Sequence, residues 1–113
     1  MELLVVEGPD RGRSFALTAQ SVIGRDPTAT VHLTDDEVSR RHAILTVGEG
    51  EMTIEDLGSF NGTHVGDDEI KRETPMRIGD RIRVGRTVLE LRELQGSEDP
   101  EYLKPTKTSL PRP

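Results

Sequence analysis

The chain has 113 residues, a formal charge of −6, no cysteine and no tryptophan. That length fits one domain, burying about two thirds of its unfolded surface around a single core. The core must be aliphatic, because the only aromatics are Phe15, Phe60 and Tyr102. The acidity argues against a phosphate-backbone grip on nucleic acid, which needs a broad basic face, and the lack of thiols excludes disulfides and thiolate metal sites. No apolar run approaches the ~18 residues of a membrane span, and Met1–Glu7 is too short and too acidic for a signal peptide. A soluble, cytoplasmic protein is expected.

Short runs rich in valine and isoleucine follow one another along the chain. Leu3–Val6, Ser14–Leu17, Ser21–Ile23, Val31–Leu33, Ala43–Val47, Met52–Glu55, Met76–Ile78, Arg81–Val84 and Thr87–Leu91 read as strands. Turn chemistry separates them: Gly8-Pro9-Asp10, Asp26-Pro27, Gly48-Glu49-Gly50, Gly58 to Gly62, Gly66-Asp67-Asp68, Gly79-Asp80 and Gly85-Arg86. The Gly-Asp and Gly-Arg pairs predict tight hairpins. No stretch sustains a 3.6-residue period, so no long helix is expected. Many short strands and short turns imply a β-sandwich or barrel. Composition changes near Glu93: residues 1–92 read as the folded domain and 93–113 as a flexible tail carrying Pro100, Pro105, Pro111 and Pro113.

Three short signals stand at junctions of strand and loop, where a rigid scaffold presents side chains. They are Ile23-Gly24-Arg25, Val38-Ser39-Arg40-Arg41-His42 and Leu57-Gly58-Ser59-Phe60-Asn61-Gly62-Thr63. Arginine makes up 12 of the 15 basic residues, and guanidinium is the group suited to bidentate recognition of an oxyanion. In this order and spacing the signals resemble the forkhead-associated (FHA) domain, a module that binds phosphothreonine peptides. The resemblance covers roughly residues 1–92.

It implies an all-β, 11-stranded sandwich of two twisted sheets with the ligand loops at one end. The implied ligand is a phosphothreonine-containing protein or peptide, with no cofactor, no metal and no catalysis. A phosphothreonine carries nearly two charges and three acceptor oxygens, so it calls for several convergent donors. Arg25 offers a guanidinium fork, Ser39 a hydroxyl, and Arg40 a second charge and a backbone N–H. By the family pattern, Asn61 pairs with the ligand main chain just after the phosphothreonine. Gly24 and Gly62 read as backbone requirements, His42 as a buried imidazole buttressing the loops, Thr63 as a hydroxyl holding the turn, and Arg41 as a rim charge. The resemblance departs at Phe60, where the family often carries Ser or Thr. There the Phe60 N–H or Ser59 could supply the missing donor, or the ring could make an apolar contact with the ligand.

Rival readings are weaker. Ser39 and His42 lack the nucleophile elbow and oriented base of a hydrolase. The clusters Asp35-Asp36-Glu37 and Asp67-Asp68-Glu69 lack calcium-loop spacing and read as solvated turns. A phospho-independent interaction domain of the same fold is the main alternative. Thr106 and Thr108 in the tail, if phosphorylated, could offer the module a ligand within its own chain.

Overall fold

The computed structural model describes residues 1–93. Eleven strands run in chain order: β1 (Glu2–Glu7), β2 (Ser14–Ala16), β3 (Gln20–Gly24), β4 (Val31–His32), β5 (Ala43–Gly48), β6 (Glu51–Asp56), β7 (Thr63–Val65), β8 (Asp68–Glu69), β9 (Thr74–Pro75), β10 (Arg81–Val84) and β11 (Thr87–Arg92). They form a six-stranded sheet in the order β2-β1-β11-β10-β7-β8 and a five-stranded sheet in the order β4-β3-β5-β6-β9. Every pairing is antiparallel except β3 with β4. No helix occurs among the described residues, so none there is long and apolar enough to cross a membrane.

The period-2 pattern explains the sandwich. Leu3 and Val5 on β1, Ile82 and Val84 on β10, and Leu89 and Leu91 on β11 all turn inward. Cross-strand register stacks them, with Leu3 opposite Leu91, Val5 opposite Leu89 and Ile82 opposite Leu89. The other sheet answers with Ile23 opposite Ala43 and Leu45 opposite Ile54. Among the described residues the buried core contains no aromatic ring, in line with the aliphatic core expected from composition; Phe15 only packs against its side. Each such aliphatic side chain contributes about 1.5–3 kcal/mol when fully buried.

Two expectations need correction. Met76–Ile78 is not a strand: pairing with β6 begins two residues earlier, at Thr74–Pro75. Met76 then turns into the core while Ile78 is left exposed, so a short apolar run marks a plug and a loop instead of a ladder. Gly66-Asp67 and Gly85-Arg86 do close two-residue hairpins, with Val65 facing Asp68 and Val84 facing Thr87. Gly79-Asp80 does not. It lies in a turn in which the Asp80 N–H donates to the Arg77 carbonyl and the Asp80 carboxylate accepts the Arg77 N–H. The strands β7 and β8 lie in polar sequence without strand-like alternation. The last strand among the described residues ends at Arg92, and the stretch with Thr106 and Thr108 falls outside them.

Candidate functional site

Loops from five connections meet at one end of the sandwich, and the segment 33–42 between β4 and β5 is their common partner. Arg25, just past β3, donates through its Nε to the Val38 carbonyl at 2.5 Å and through its N–H to the Ser39 carbonyl at 3.1 Å. Asn61, in the β6–β7 loop, donates through its side-chain amide to the Glu37 carbonyl at 2.8 Å. The N–H of Phe60 donates to Ser39 Oγ at 3.0 Å. The three sequence signals therefore converge on residues 37–40.

His42 ties two of the loops together from below and is fully buried. Its Nδ1 accepts the Ser39 N–H at 3.0 Å, which leaves the ring proton on Nε2 to be donated to the Gly62 carbonyl at 2.7 Å. The neutral Nε2–H tautomer satisfies both contacts at once. A buttress is what the sequence predicts for this residue.

Gly24 has an ordinary φ, yet a Cβ there would lie 2.0 Å from the Arg40 carbonyl oxygen and 2.7 Å from its carbon. The close approach lets the Arg25 and Asp26 N–H groups reach the Ser39 and Arg40 carbonyls, each at 3.1 Å. Gly24→Ala is expected to push β3 away from the 39–40 segment and to cost about 1–3 kcal/mol, the scale of overpacking. Urea unfolding checks it, and a wild-type midpoint would contradict the stated contact. At Gly62 both conditions hold: φ is +85° and a Cβ would meet the Glu69 carboxylate at 2.7 Å.

Three aspartates, Asp56, Asp10 and Asp35, hold these loops. Asp56 accepts the N–H groups of Gly58 and Ser59, each at 2.9 Å, and the hydroxyls of Ser59 at 2.5 Å and Thr63 at 2.7 Å. Burial pushes its carboxyl up, but the Ser59 and Thr63 hydrogen bonds and those two N–H groups outweigh it, so it lies below the ordinary 3.8. Asp10 reaches across from the β1–β2 loop to the Thr34 N–H at 2.7 Å and hydroxyl at 2.9 Å. Asp35 is the correction to the solvated-turn reading: it is fully buried. It accepts the Glu37 N–H at 2.9 Å, the Arg86 N–H at 2.7 Å and the Thr87 hydroxyl at 2.8 Å. Asp36 and Glu37 are exposed as expected and pair with the Arg86 guanidinium. Thr63 holds the turn as predicted, through Asp56.

Neither donor proposed to stand in for the missing hydroxyl at position 60 is available. The Phe60 N–H is spent on Ser39 Oγ, and Ser59 Oγ donates to Asp56 while accepting the Gly62 N–H at 2.9 Å. The Phe60 ring instead stands 92% exposed, with Leu57 of the same loop 38% exposed. Beside them opens a cleft of about 470 Å³ lined by Asn61, Glu69, Ile70, Lys71 and Arg72 among others.

Several polar groups at the convergence have no partner among the described residues. The two Nη groups of Arg25 make no ion pair or hydrogen bond, and the Arg40 N–H meets no acceptor. Ser39 Oγ receives one hydrogen bond and keeps its own proton to donate. Asn61 commits its amide N–H and keeps its Oδ1 to accept. No cluster of metal-ligating side chains occurs among the described residues.

Comparison with known proteins gives a consistent picture. A family model described as the cytoplasmic domain of an inner membrane component of the T3SS (Yop-YscD_cpl) matches residues 4–95. The chain is 42% identical over 91 residues to the FHA domain-containing protein FhaB of Mycobacterium tuberculosis (strain ATCC 25618 / H37Rv), covering 80% of this chain and 59% of that protein. It thus spans under two thirds of that relative's length. A solved structure from a structural and functional study of phosphothreonine-dependent FHA domain interactions superposes with a TM-score of 0.74 at 30% identity, covering 83% of this chain and 96% of the other. The FHA domain of the CT664 protein from Chlamydia trachomatis gives a TM-score of 0.77 at 30% identity, over 83% and 97% of the two chains.

Proposed function

This chain belongs to the forkhead-associated domain family, and on that premise we propose that it recognises a phosphothreonine side chain on a partner protein in Ser/Thr kinase signalling and catalyses nothing. The observation that carries the reading is the set of uncommitted donors around Ser39. Among the described residues, the two Nη groups of Arg25, the Ser39 hydroxyl proton and the Arg40 N–H have no partner, and the Arg40 guanidinium meets only Asp26. These donors lie on segments that hydrogen-bond to one another. A phosphate dianion has three acceptor oxygens to use them. Asn61 Oδ1 accepts a main-chain N–H of the ligand beyond the phosphothreonine, holding it extended.

The two arginine side chains supply most of the charge, and the net charge-assisted contact of each is worth about 1.5–3 kcal/mol. The site is short of one donor relative to a chain with Ser or Thr at position 60. The Phe60 ring offsets part of that by covering an apolar stretch of the ligand. Phe60→Ala is expected to weaken phosphopeptide affinity by about 1 kcal/mol without lowering the melting temperature; unchanged affinity would return the ring to plain surface. A cytoplasmic location agrees with the matched family's description as a cytoplasmic domain.

The exposed pair Phe60 and Leu57 favours one rival, apolar docking of a partner without phosphate. A degenerate peptide pool centred on threonine, presented phosphorylated and unphosphorylated, separates the two. Retention of the phosphorylated pool alone supports phosphate recognition, and equal retention supports the rival. The same assay on the full chain treated with a Ser/Thr kinase tests Thr106 and Thr108 as internal ligands: if they fill the pocket, retention of the pool falls.

A further inference from the structure

Resting on the phosphothreonine reading, we infer that Asp26 is a built-in anionic competitor that occupies Arg40 in the free protein and lowers the affinity of the site for a phosphorylated ligand. The Asp26 carboxylate lies 3.5 Å from Arg40 Nη2. The contact is not a chance meeting of two long side chains. The Asp26 N–H donates to the Arg40 carbonyl, so the main chain holds the two residues side by side. The other carboxylate oxygen is pinned by the Thr28 N–H at 2.9 Å and the Thr28 hydroxyl at 2.8 Å. Those two hydrogen bonds, with smaller help from the Arg40 and Arg41 charges, hold the carboxyl below the ordinary 3.8, so it is ionised at neutral pH.

Arg25, the other cation of the site, has no such partner among the described residues; its Nε goes to a main-chain carbonyl. The two arginines therefore differ in kind: one is free to meet an anion and the other already has one. A phosphate dianion arriving between them must draw the Arg40 guanidinium off Asp26 or share it, and must lie near a fixed like charge. Both effects oppose binding and leave the complex readily reversible. They also bear on weaker anions: a monoanionic carboxylate gains less from Arg25 than phosphate does, yet meets the same occupied Arg40.

The test measures binding of a fluorescent degenerate phosphothreonine peptide pool to four forms of the 113-residue chain: wild type, Asp26→Asn, Arg40→Ala and the double variant. Asparagine keeps an oxygen for Thr28 and removes only the charge, and thermal melts confirm that the fold is unchanged. Asp26→Asn is expected to tighten binding roughly two- to fivefold at low salt, the span of an exposed ion pair. The gain should shrink at high salt and vanish in the Arg40→Ala background. Weaker or unchanged binding by Asp26→Asn would overturn the inference, since Asp26 would then aim Arg40 at the ligand or do nothing. A gain that survives Arg40→Ala would overturn it too. Wild-type protein that prefers phosphorylated peptide while Asp26→Asn changes nothing would leave the phosphothreonine reading standing alone. Wild-type protein with no preference for the phosphorylated pool would remove both.

Discussion

Replacing Arg25 with alanine is expected to weaken phosphothreonine-peptide binding by about 1.5–3 kcal/mol, roughly 10- to 150-fold, while the domain stays folded. The size follows from what the side chain does at each end. Its Nε is held by the Val38 carbonyl, which fixes the plane of the guanidinium, and its two Nη groups have no protein partner among the described residues. A preset fork loses little rotamer entropy when it engages two phosphate oxygens. Truncation removes both charge-assisted bonds. The fold loses one loop hydrogen bond, worth about 1 kcal/mol. Arg25→Lys should recover only part of the loss, because an ammonium keeps the charge but not the fork. Isothermal titration paired with thermal melts checks the split, and an affinity loss matched by unfolding would point to a scaffold role.

The largest stability effect is expected at Asp35, which is fully buried. Asp35→Ala strands the buried Thr87 hydroxyl together with the Arg86 and Glu37 N–H groups. Removing one partner of such a buried, charge-assisted set costs about 3–5 kcal/mol. The loop it shapes also carries the Glu37 and Val38 carbonyls that receive Asn61 and Arg25, so binding should fail along with stability. Burial pushes the Asp35 carboxyl up, but the Glu37, Thr87 and Arg86 hydrogen bonds and the Arg86 charge more than offset it, leaving it below 3.8. A carboxyl lowered on folding contributes stability that is fully present above its unfolded value and is lost as pH falls through the folded one. Asp56 behaves alike. The protein should therefore hold its stability down to about pH 4 and lose it below. Asp35→Asn should flatten that acid limb, and urea melts across the range would read it; an unchanged limb would place the acid response elsewhere.

The sheets and the converging loop residues are legible for different reasons. Alternation at Arg81–Val84 and Thr87–Leu91 marks strands because one face of each is buried, and Ile82, Val84, Leu89 and Leu91 from that face lie in the core. β7 and β8 escaped because Thr63–Val65 and Asp68–Glu69 owe their pairing to β10 and to a Gly66-Asp67 turn, not to their own apolarity. Gly24, Arg25, Ser39, His42 and Asn61 were found through motif order, and the structure brings them together. Asp26, Asp35 and Asp56 were half visible. Each accepts an N–H two residues on, from Thr28, Glu37 and Gly58, and an aspartate at a strand end before a loop is the usual sign of such a turn. What no local pattern contains is the long-range partner: Thr87 lies 52 positions from Asp35. The fate of Phe60 was invisible for the same reason, because its N–H is taken by a residue 21 positions away.

In the proposed complex, loops from three connections enclose one phosphorylated threonine side chain. Amide NMR spectra of the full chain, recorded as a degenerate threonine-centred pool is added in phosphorylated and then unphosphorylated form, test it most directly. Shifts on the phosphorylated pool are expected to centre on Arg25, Ser39, Arg40 and Asn61, with none of comparable size on the other. Shifts that are identical for the two pools, or that fall on an outer sheet face away from the β3–β4, β4–β5 and β6–β7 loops, would contradict it.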